Sequence, residues 1–340
     1  INYAISYAMS RGNQRDALKY AELHKMIEGI ALFDENSSYK SMYNDLIGNK
    51  FPIMEIQKSI PRKTAVLYTT KNENDIFAWV ITRTYIQPVR LQNSFKQLYD
   101  IIHDYYNDVG LLQQAFDKEA AINTIMQPVI KELSGYTTII IIPDAYTESI
   151  PYENIQYNKG DTAIVFMPSL MAAMDKTSSI PPIAYINVNN TKKDLIVSAL
   201  KQSDFAYTSD ATVKSIIITD RQISYNNVKK GLMINGDVIQ SGNVFINLAN
   251  TSQVSYYYCL FMIQKEMGIS VLVNSAVSDV NSIIFIREFC NTIKTDSALN
   301  AYISAYQYLK KDRRFKNPAY WLGIRLYSRT IKGIYDGVNK

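Results

Sequence analysis

The sequence predicts an α/β fold in which a mixed, mainly parallel sheet is flanked by helices and preceded by a β-meander and a helical segment. Three observations lead to this prediction. Apolar residues recur at helical spacing in residues 1–50, short β-rich runs alternate with polar turns over 51–91, and strand-like and helix-like segments alternate after Gly135. Such alternation favours a parallel or mixed sheet with helices on both faces.

Composition limits the functional classes. The chain has 340 residues, of which 47% are hydrophobic and 20% charged, as in an ordinary folded domain or pair of domains. A net charge of +5 is weak for a nucleic-acid-binding protein, and a solvated helix end explains the one dense basic run, KKDRRFK at 310–316. No apolar run approaches the ~18 residues of a membrane helix. We expect a cytoplasmic protein, and because the chain begins at Ile1 and not at methionine, a piece of a longer or processed one.

The segment 1–50 predicts a helix-turn-helix. Small residues permit close contact between its two helices: Ala8, Gly12, Ala17 and Ala21. The segment resembles the last unit of a tetratricopeptide array, and two ordinary packed helices are an equally good interpretation. A repeat array, if present, serves as an interaction surface.

The segment 51–135 predicts a three-stranded antiparallel meander followed by two long amphipathic helices. The predicted strands are Ala65–Thr69, Ile76–Thr82 and Tyr85–Leu91, and the helical stretches are Ser94–Tyr106 and Leu111–Leu133.

The segment 136–335 predicts an α/β core. The run TTIIIIPD is continuously apolar, as expected of a strand that is covered on both faces. Further predicted strands are Ile183–Val188, Ser215–Thr219, Val244–Leu248 and Ser270–Asn274, and predicted helices lie around Asp194–Gln202, Val254–Met267, Val280–Ile293 and Ser297–Leu309.

The run NVFINLANTS, Asn243–Ser252, predicts a buried strand and a loop. It resembles the strand and loop that carry the nucleophilic cysteine of the CHAT family of caspase-like and separase-like proteases, typically VVLSACETG. Laid on Val244–Ser252, the cysteine position falls on Ala249. Other motifs resemble the family in the same order, and the resemblance covers residues 50–330 and implies a caspase-like fold. They are carried by Ile56, Gln57, Pro61, Trp79–Thr82, Pro143, Asp144, Pro151, Tyr152, Glu153, Pro168, Ser169, Leu170, Asp279, Phe289, Ala298, Leu299, Pro318, Tyr320 and Trp321.

The resemblance also implies where catalysis would occur, and the required residues are missing there. A cysteine protease needs a thiolate and a histidine within hydrogen-bond reach. The family histidine lies upstream of the cysteine, near residues 204–211 here, but the only histidines are His24 and His103. We therefore expect no catalytic residues and a vestigial cleft, lined by Tyr207, Asp210, Asn247, Ala249, Asn250 and Thr251.

Other chemistry finds little support in the sequence. Cys259 and Cys290 lie in apolar patterns and are expected to pack as small hydrophobes. Thr251 or Ser252 remains an alternative nucleophile, with Asp210 as its base. The carboxylate pairs Asp144 with Glu148 and Asp237 with Asp210 are alternatives for acid–base chemistry, although loop solvation and helix capping explain them better. No phosphate loop, dinucleotide motif, nucleophile elbow or zinc motif occurs, so we expect neither cofactor nor metal.

The expected function is binding. A caspase-like sheet without its reactive groups can still hold an extended peptide. We therefore expect a catalytically inactive CHAT-like pseudoprotease that serves as a protein–protein interaction or scaffold module in a larger assembly, and whose partners bind the N-terminal helices or the vestigial cleft. Two alternatives stay open: an active cysteine-type peptidase of the family with a displaced dyad, and a structural cap of a repeat array.

Overall fold

The chain divides after Met174 into two compact units, and this boundary lies inside the predicted 136–335 core. The division into segments 1–50, 51–135 and 136–335 stays a prediction. The computed structural model describes residues 1–33, 38–91, 94–110, 116–157, 162–175, 180, 183–210, 215–220, 223–226, 231–234, 237–238, 244–248, 269–273, 279–315 and 317–335. Among these, unit 1 comprises those up to 174 and unit 2 those from 175.

Unit 1 begins with four helices. Gly12 has a φ of +71° and makes the turn between the first two. The N–H groups of Gly12 and Asn13 donate to the carbonyls of Met9 and Ala8, which closes the first helix with the bonds of a Schellman motif. The helices are α1 (Asn2–Ser10), α2 (Gln14–Phe33), α3 (Ser38–Ile47) and α4 (Ile53–Ser59).

The meander of unit 1 follows as predicted. Its strands are β1 (Thr64–Asn72), β2 (Asp75–Ile81) and β3 (Ile86–Leu91), paired antiparallel. On its other side β1 pairs in parallel with β4 (Thr138–Ile142), and β4 pairs in parallel with β5 (Ala163–Phe166). The order is therefore β3-β2-β1-β4-β5, and the carboxyl ends of β1, β4 and β5 share one edge.

Three helices separate β3 from β4. They are α5 (Ser94–Gly110), α6 (Phe116–Ile125) and α7 (Gln127–Leu133). The single helix predicted over Leu111–Leu133 is interrupted, because Pro128 lies in the first turn of α7. In the first turn of a helix the backbone N–H has no acceptor within the helix, so a proline is tolerated there. In the interior of a helix that continued from α6, the same proline would remove a backbone hydrogen bond.

Unit 2 contains a six-stranded, mainly parallel sheet of order β7-β6-β8-β12-β13-β14, in which β14 alone runs antiparallel. A separate antiparallel sheet of three short strands, β9–β11, interrupts the chain between β8 and β12 and was not predicted. The strands are β6 (Ile183–Asn187), β7 (Ala206–Thr208), β8 (Ile216–Thr219), β9 (Ile223–Asn226), β10 (Gly231–Ile234), β11 (Asp237–Val238), β12 (Val244–Asn247), β13 (Ile269–Val273) and β14 (Ile324–Ser328).

The α-helices of unit 2 in the described ranges are α8 (Asn190–Gln202), α9 (Asp279–Ile293) and α10 (Ala298–Lys311). Phe285 and Phe289 of α9 pack with Tyr302 of α10 in the core. Ser297 caps α10, its hydroxyl accepting from the N–H of Asn300 at 3.2 Å. The predicted helix at 254–267 lies outside the described residues. The predicted α/β class, with a mixed and mainly parallel sheet flanked by helices, is confirmed.

Candidate functional site

The candidate site is the carboxyl edge of the sheet in unit 2. Asn187 pairs with Thr219, and Thr219 pairs with Asn247, so the ends of β6, β8 and β12 are aligned. The chain passes from β6 outward to β7 and then returns to the other side of β6 as β8. Open α/β sheets bind ligands outside the carboxyl ends of their strands, where the strand order reverses in this way.

Asp220 follows β8 directly and binds the start of α8. Its carboxylate accepts from the backbone N–H of Asn189, at 3.2 and 3.3 Å, and from the side-chain amide of Asn189, at 2.6 Å. Asn189 is the N-cap of α8 and in turn accepts from the N–H of Lys192 at 3.0 Å. A negative charge is favourable at a helix N-terminus, so this contact joins the end of β8 to the helix that follows β6.

Tyr207 and Asp210, both predicted to line the cleft, do not lie beside Asn247. They belong to β7 and the loop after it, and β6 and β8 stand between β7 and β12. Three spacings of about 4.8 Å place β7 about 14 Å from β12 in the sheet. β12 lies between β8 and β13, and Asp220 is the residue that follows β8 at this edge. Strand order, which a single sequence does not reveal, decides this.

Of the other predicted cleft residues, the structure describes only Asn247. Asn247 ends β12, and the N–H of Leu248 donates to the carbonyl of Thr219 at 2.7 Å, which keeps the chain beside β8 as it leaves the sheet. The predicted cleft residues Ala249, Asn250 and Thr251 lie outside the described residues, as do Ser252 and Cys259.

The histidines and the described cysteine have other surroundings. His24 lies half-buried in α2, and His103 lies exposed in α5, 3.7 Å from the carboxylate of Asp104. Cys290 is fully buried in α9, and this burial raises the pKa of its thiol to about 12. The thiol is therefore protonated and unreactive near neutral pH. Within the described part of the chain, no three His, Cys, Asp or Glu side chains are grouped to hold a metal ion.

Asp144, considered above as an acid–base partner of Glu148, has a structural role. Its carboxylate is buried and accepts from the hydroxyl of Thr70 and the N–H of Lys71, at 2.9 and 2.6 Å. It also accepts from the N–H groups of Tyr146 and Thr147, at 3.0 and 2.8 Å. These bonds favour the capping interpretation, because the carboxylate organises the loop after β4 around the end of β1.

A buried carboxylate that the sequence analysis missed lies at the carboxyl edge of β5. Glu22 of α2 is fully buried, and its oxygens accept from the hydroxyl of Ser169 at 2.6 Å and from the N–H groups of Leu170 and Met171 at 3.2 and 3.3 Å. A buried charge requires such partners. Glu22 therefore anchors α2 to the Pro-Ser-Leu motif.

Lys25, one turn later on α2, makes a matching contact with the Pro-Asp motif. Its ammonium donates to the carbonyl of Pro143 at 2.7 Å and lies 4.9 Å from the ring centroid of Tyr68. Burial, reinforced by the charge of Glu22, raises the pKa of Tyr68 well above its ordinary value, so the phenol stays neutral. The N-terminal helices are thus an integral part of unit 1.

Comparison with known proteins supports the fold. Separase in a crystal structure of the Saccharomyces cerevisiae separase–securin complex at 2.6 Å resolution matches with a TM-score of 0.55 and 9% identity, over 92% of this chain and 34% of that one. The fold of this chain is therefore similar to the caspase-like fold of separase. Separase in a second structure of the complex, at 3.0 Å, matches with a TM-score of 0.56 and 8% identity over 92% and 33% of the respective chains.

This chain thus spans about a third of the length of the separase chains it resembles. No protein-family model matches the sequence. No curated protein matches it either. Among the described residues, no helix combines the length and apolar character needed to cross a bilayer.

Proposed function

We propose that this chain is a catalytically inactive, CHAT-like member of the caspase-like fold that binds another protein within a larger assembly. One observation carries the proposal. Asp220 directly follows β8, a neighbour of β12, and its carboxylate is bonded to Asn189. The resemblance places Ala249 where the nucleophilic cysteine would be. A methyl group and a bonded carboxylate provide neither the thiolate nor the imidazole that the reaction requires.

The distribution of histidine supports the same proposal. Both histidines of the chain, His24 and His103, lie on helices of unit 1, so unit 2, which contains the candidate edge, has none. Without an imidazole beside it, a serine or threonine hydroxyl in the loop after β12 lacks an effective general base.

Two features support a protein as the partner. The similar separase chains were crystallised as complexes with securin. In unit 2, β7 is the edge strand of the sheet beside β6, and Tyr207 on it is 41% exposed. An extended peptide can add a strand to such an edge, with backbone hydrogen bonds giving affinity and side-chain contacts giving specificity.

Covalent probes test the absence of activity. The purified chain is treated with thiol-directed and serine-directed electrophiles, and adducts are located by intact mass and peptide mapping. We expect only slow labelling at Cys259 or Cys290 in the native state. Rapid labelling of either cysteine, Thr251 or Ser252 that disappears on unfolding would show that the chain is an enzyme and would overturn the proposal.

A structural cap is a second candidate, favoured by the contacts of α2. Glu22 and Lys25 anchor the N-terminal helices to the strand ends of unit 1, while Tyr3 and Tyr7 on α1 are 83% and 52% exposed. Helical arrays need an end unit that keeps their last apolar face covered. Two results together distinguish a cap from a binding module. An attached helical array becomes insoluble when this chain is removed, and no partner binds at the sheet of unit 2.

A further inference from the structure

We propose that unit 1 carries a second binding site, centred on Lys71, for a partner segment in which a carboxylate side chain adjoins an apolar one. The site lies at the end of β1 and is separate from the candidate edge of unit 2. The inference therefore does not depend on whether unit 2 is an active enzyme.

The side chain of Lys71 lies against two aromatic rings. Its ammonium nitrogen is 4.4 Å from the ring centroid of Phe95 and 4.3 Å from that of Tyr146. These two rings meet edge to face, with centroids 5.8 Å apart. Within the described residues the ammonium makes no hydrogen bond or ion pair, so its three N–H donors are available to a ligand. The rings stabilise the charge, but they do not replace a hydrogen-bond acceptor.

The arrangement is held in place before any ligand binds. The buried carboxylate of Asp144 accepts from the backbone N–H of Lys71 at 2.6 Å and from that of Tyr146 at 3.0 Å. One residue therefore fixes both the cation and one of its rings. A preorganised site loses less conformational entropy on binding, which strengthens the contact that an incoming carboxylate makes with Lys71.

An apolar slot adjoins the cation. Tyr99 packs on Phe95 with ring centroids 5.9 Å apart, and Tyr99 and Tyr146 are each 53% exposed. The slot is open to solvent, and its empty space of about 190 Å³ includes part of that solvent. An apolar side chain of a partner would pack on the exposed rings of Tyr99 and Tyr146 beside it. Apart from the three rings, it is lined by Ile76, Leu98, Ile102, Thr147, Ser149 and Ile150.

Charge decides which ligand the site takes. A cationic ligand is disfavoured because Lys71 already lies on the rings. A nucleic acid would need several cations along its backbone, whereas the exposed residues on the neighbouring helix α5 carry both signs, Lys96 and Asp100. One cation beside one apolar slot is complementary to a carboxylate followed by a leucine-like side chain, as in a short acidic–hydrophobic protein segment.

The probe is an eight-residue peptide in which two glutamates precede two leucines, flanked by glycine and serine. Binding to the full chain is measured by calorimetry and by amide chemical shifts. We expect saturable binding that K71M weakens by about tenfold, since a charge-assisted hydrogen bond is lost. K71M keeps the apolar stem on the rings, and K71R should bind within about threefold of the unsubstituted chain because it retains the cation. Lys63, an exposed lysine of the same unit, provides the control K63M, which should bind unchanged.

Y146A is the second variant, because it removes a ring and leaves the cation. It should weaken binding too, and urea unfolding verifies that each variant is folded. The proposal is overturned by no saturable binding, by unchanged affinity in K71M, or by equal losses in K71M and K63M, which would indicate non-specific attraction. Tighter binding of a peptide with lysines in place of the glutamates would overturn it as well.

Discussion

Asp220 accepts a hydrogen bond of 2.6 Å from the side-chain amide of Asn189, beside the end of β12. Through this contact Asp220, which follows β8, stabilises the fold. It does so at the carboxyl edge of the sheet, where open α/β sheets bind their ligands. A protease of this fold would need an imidazole free to approach its nucleophile at that place. The bond between Asp220 and Asn189 is thus the structural observation that supports the proposed inactivity most directly.

Asp220→Ala should lower the free energy of unfolding by about 1–3 kcal/mol, because the N–H groups of Asn189 lose their acceptor. Urea denaturation measures the change. Asp194→Ala removes an exposed carboxylate from the same helix and should change stability by less than about 0.5 kcal/mol. Equal effects of the two substitutions would mean that the contact with Asn189 contributes nothing specific.

Glu22→Ala should be among the most damaging substitutions in unit 1, with a loss of about 3–5 kcal/mol, since it leaves buried donors at Ser169 and Leu170 unpaired. Ser169→Ala should cost about 1–2 kcal/mol. The double variant should be less damaging than the sum, because the two residues share one bond. Glu55→Ala, on an exposed position of α4, is the control. Additive losses would contradict the shared-bond interpretation.

Cys290 should resist alkylation in the folded chain between pH 7 and 9 and react rapidly once the chain is unfolded, because burial raises the pKa of its thiol from 9.0 to about 12. The raised pKa also determines in which direction the free energy of unfolding changes with pH. Below pH 9 the thiol is protonated in both states, and between about 9 and 12 only the unfolded state loses its proton, so stability falls. Peptide mapping measures the labelling. The free energy of unfolding of Cys290→Ala should depend less steeply on pH between about 9 and 12. Rapid native labelling would contradict the burial.

The elements of the fold were largely predictable, since their signals are local. The continuous apolar run Thr138–Ile142 indicates a doubly covered strand, and Gly12 marks a turn that favours positive φ. Pro128 also carried a local signal, the start of α7, but the longer amphipathic pattern around it obscured that signal. The strands β9–β11 were missed, because such short segments have little periodicity to detect.

The site was less predictable, because it depends on contacts between distant segments. Asp220 lies beside β12 only because β8, and not β7, is its neighbour in the sheet. Glu22 lies on a helix whose charges sequence analysis assigns to solvent, and its burial becomes favourable only with Ser169, 147 residues further along. Strand order and the hydrogen-bond partners of a buried carboxylate are properties of tertiary packing, so they cannot be inferred from a single sequence.

The most direct measurement is the rate at which iodoacetamide alkylates the thiol introduced by Ala249→Cys at pH 6, with and without Asp220→His. If Asp220 and Ala249 occupy the positions of a lost dyad, the imidazole will generate the thiolate, and alkylation in the double variant will be faster by about tenfold or more. Asp210→His with Ala249→Cys is the matched control, which should show no acceleration because β7 is about 14 Å from β12. Equal rates with and without Asp220→His, or acceleration only with Asp210→His, would contradict the account.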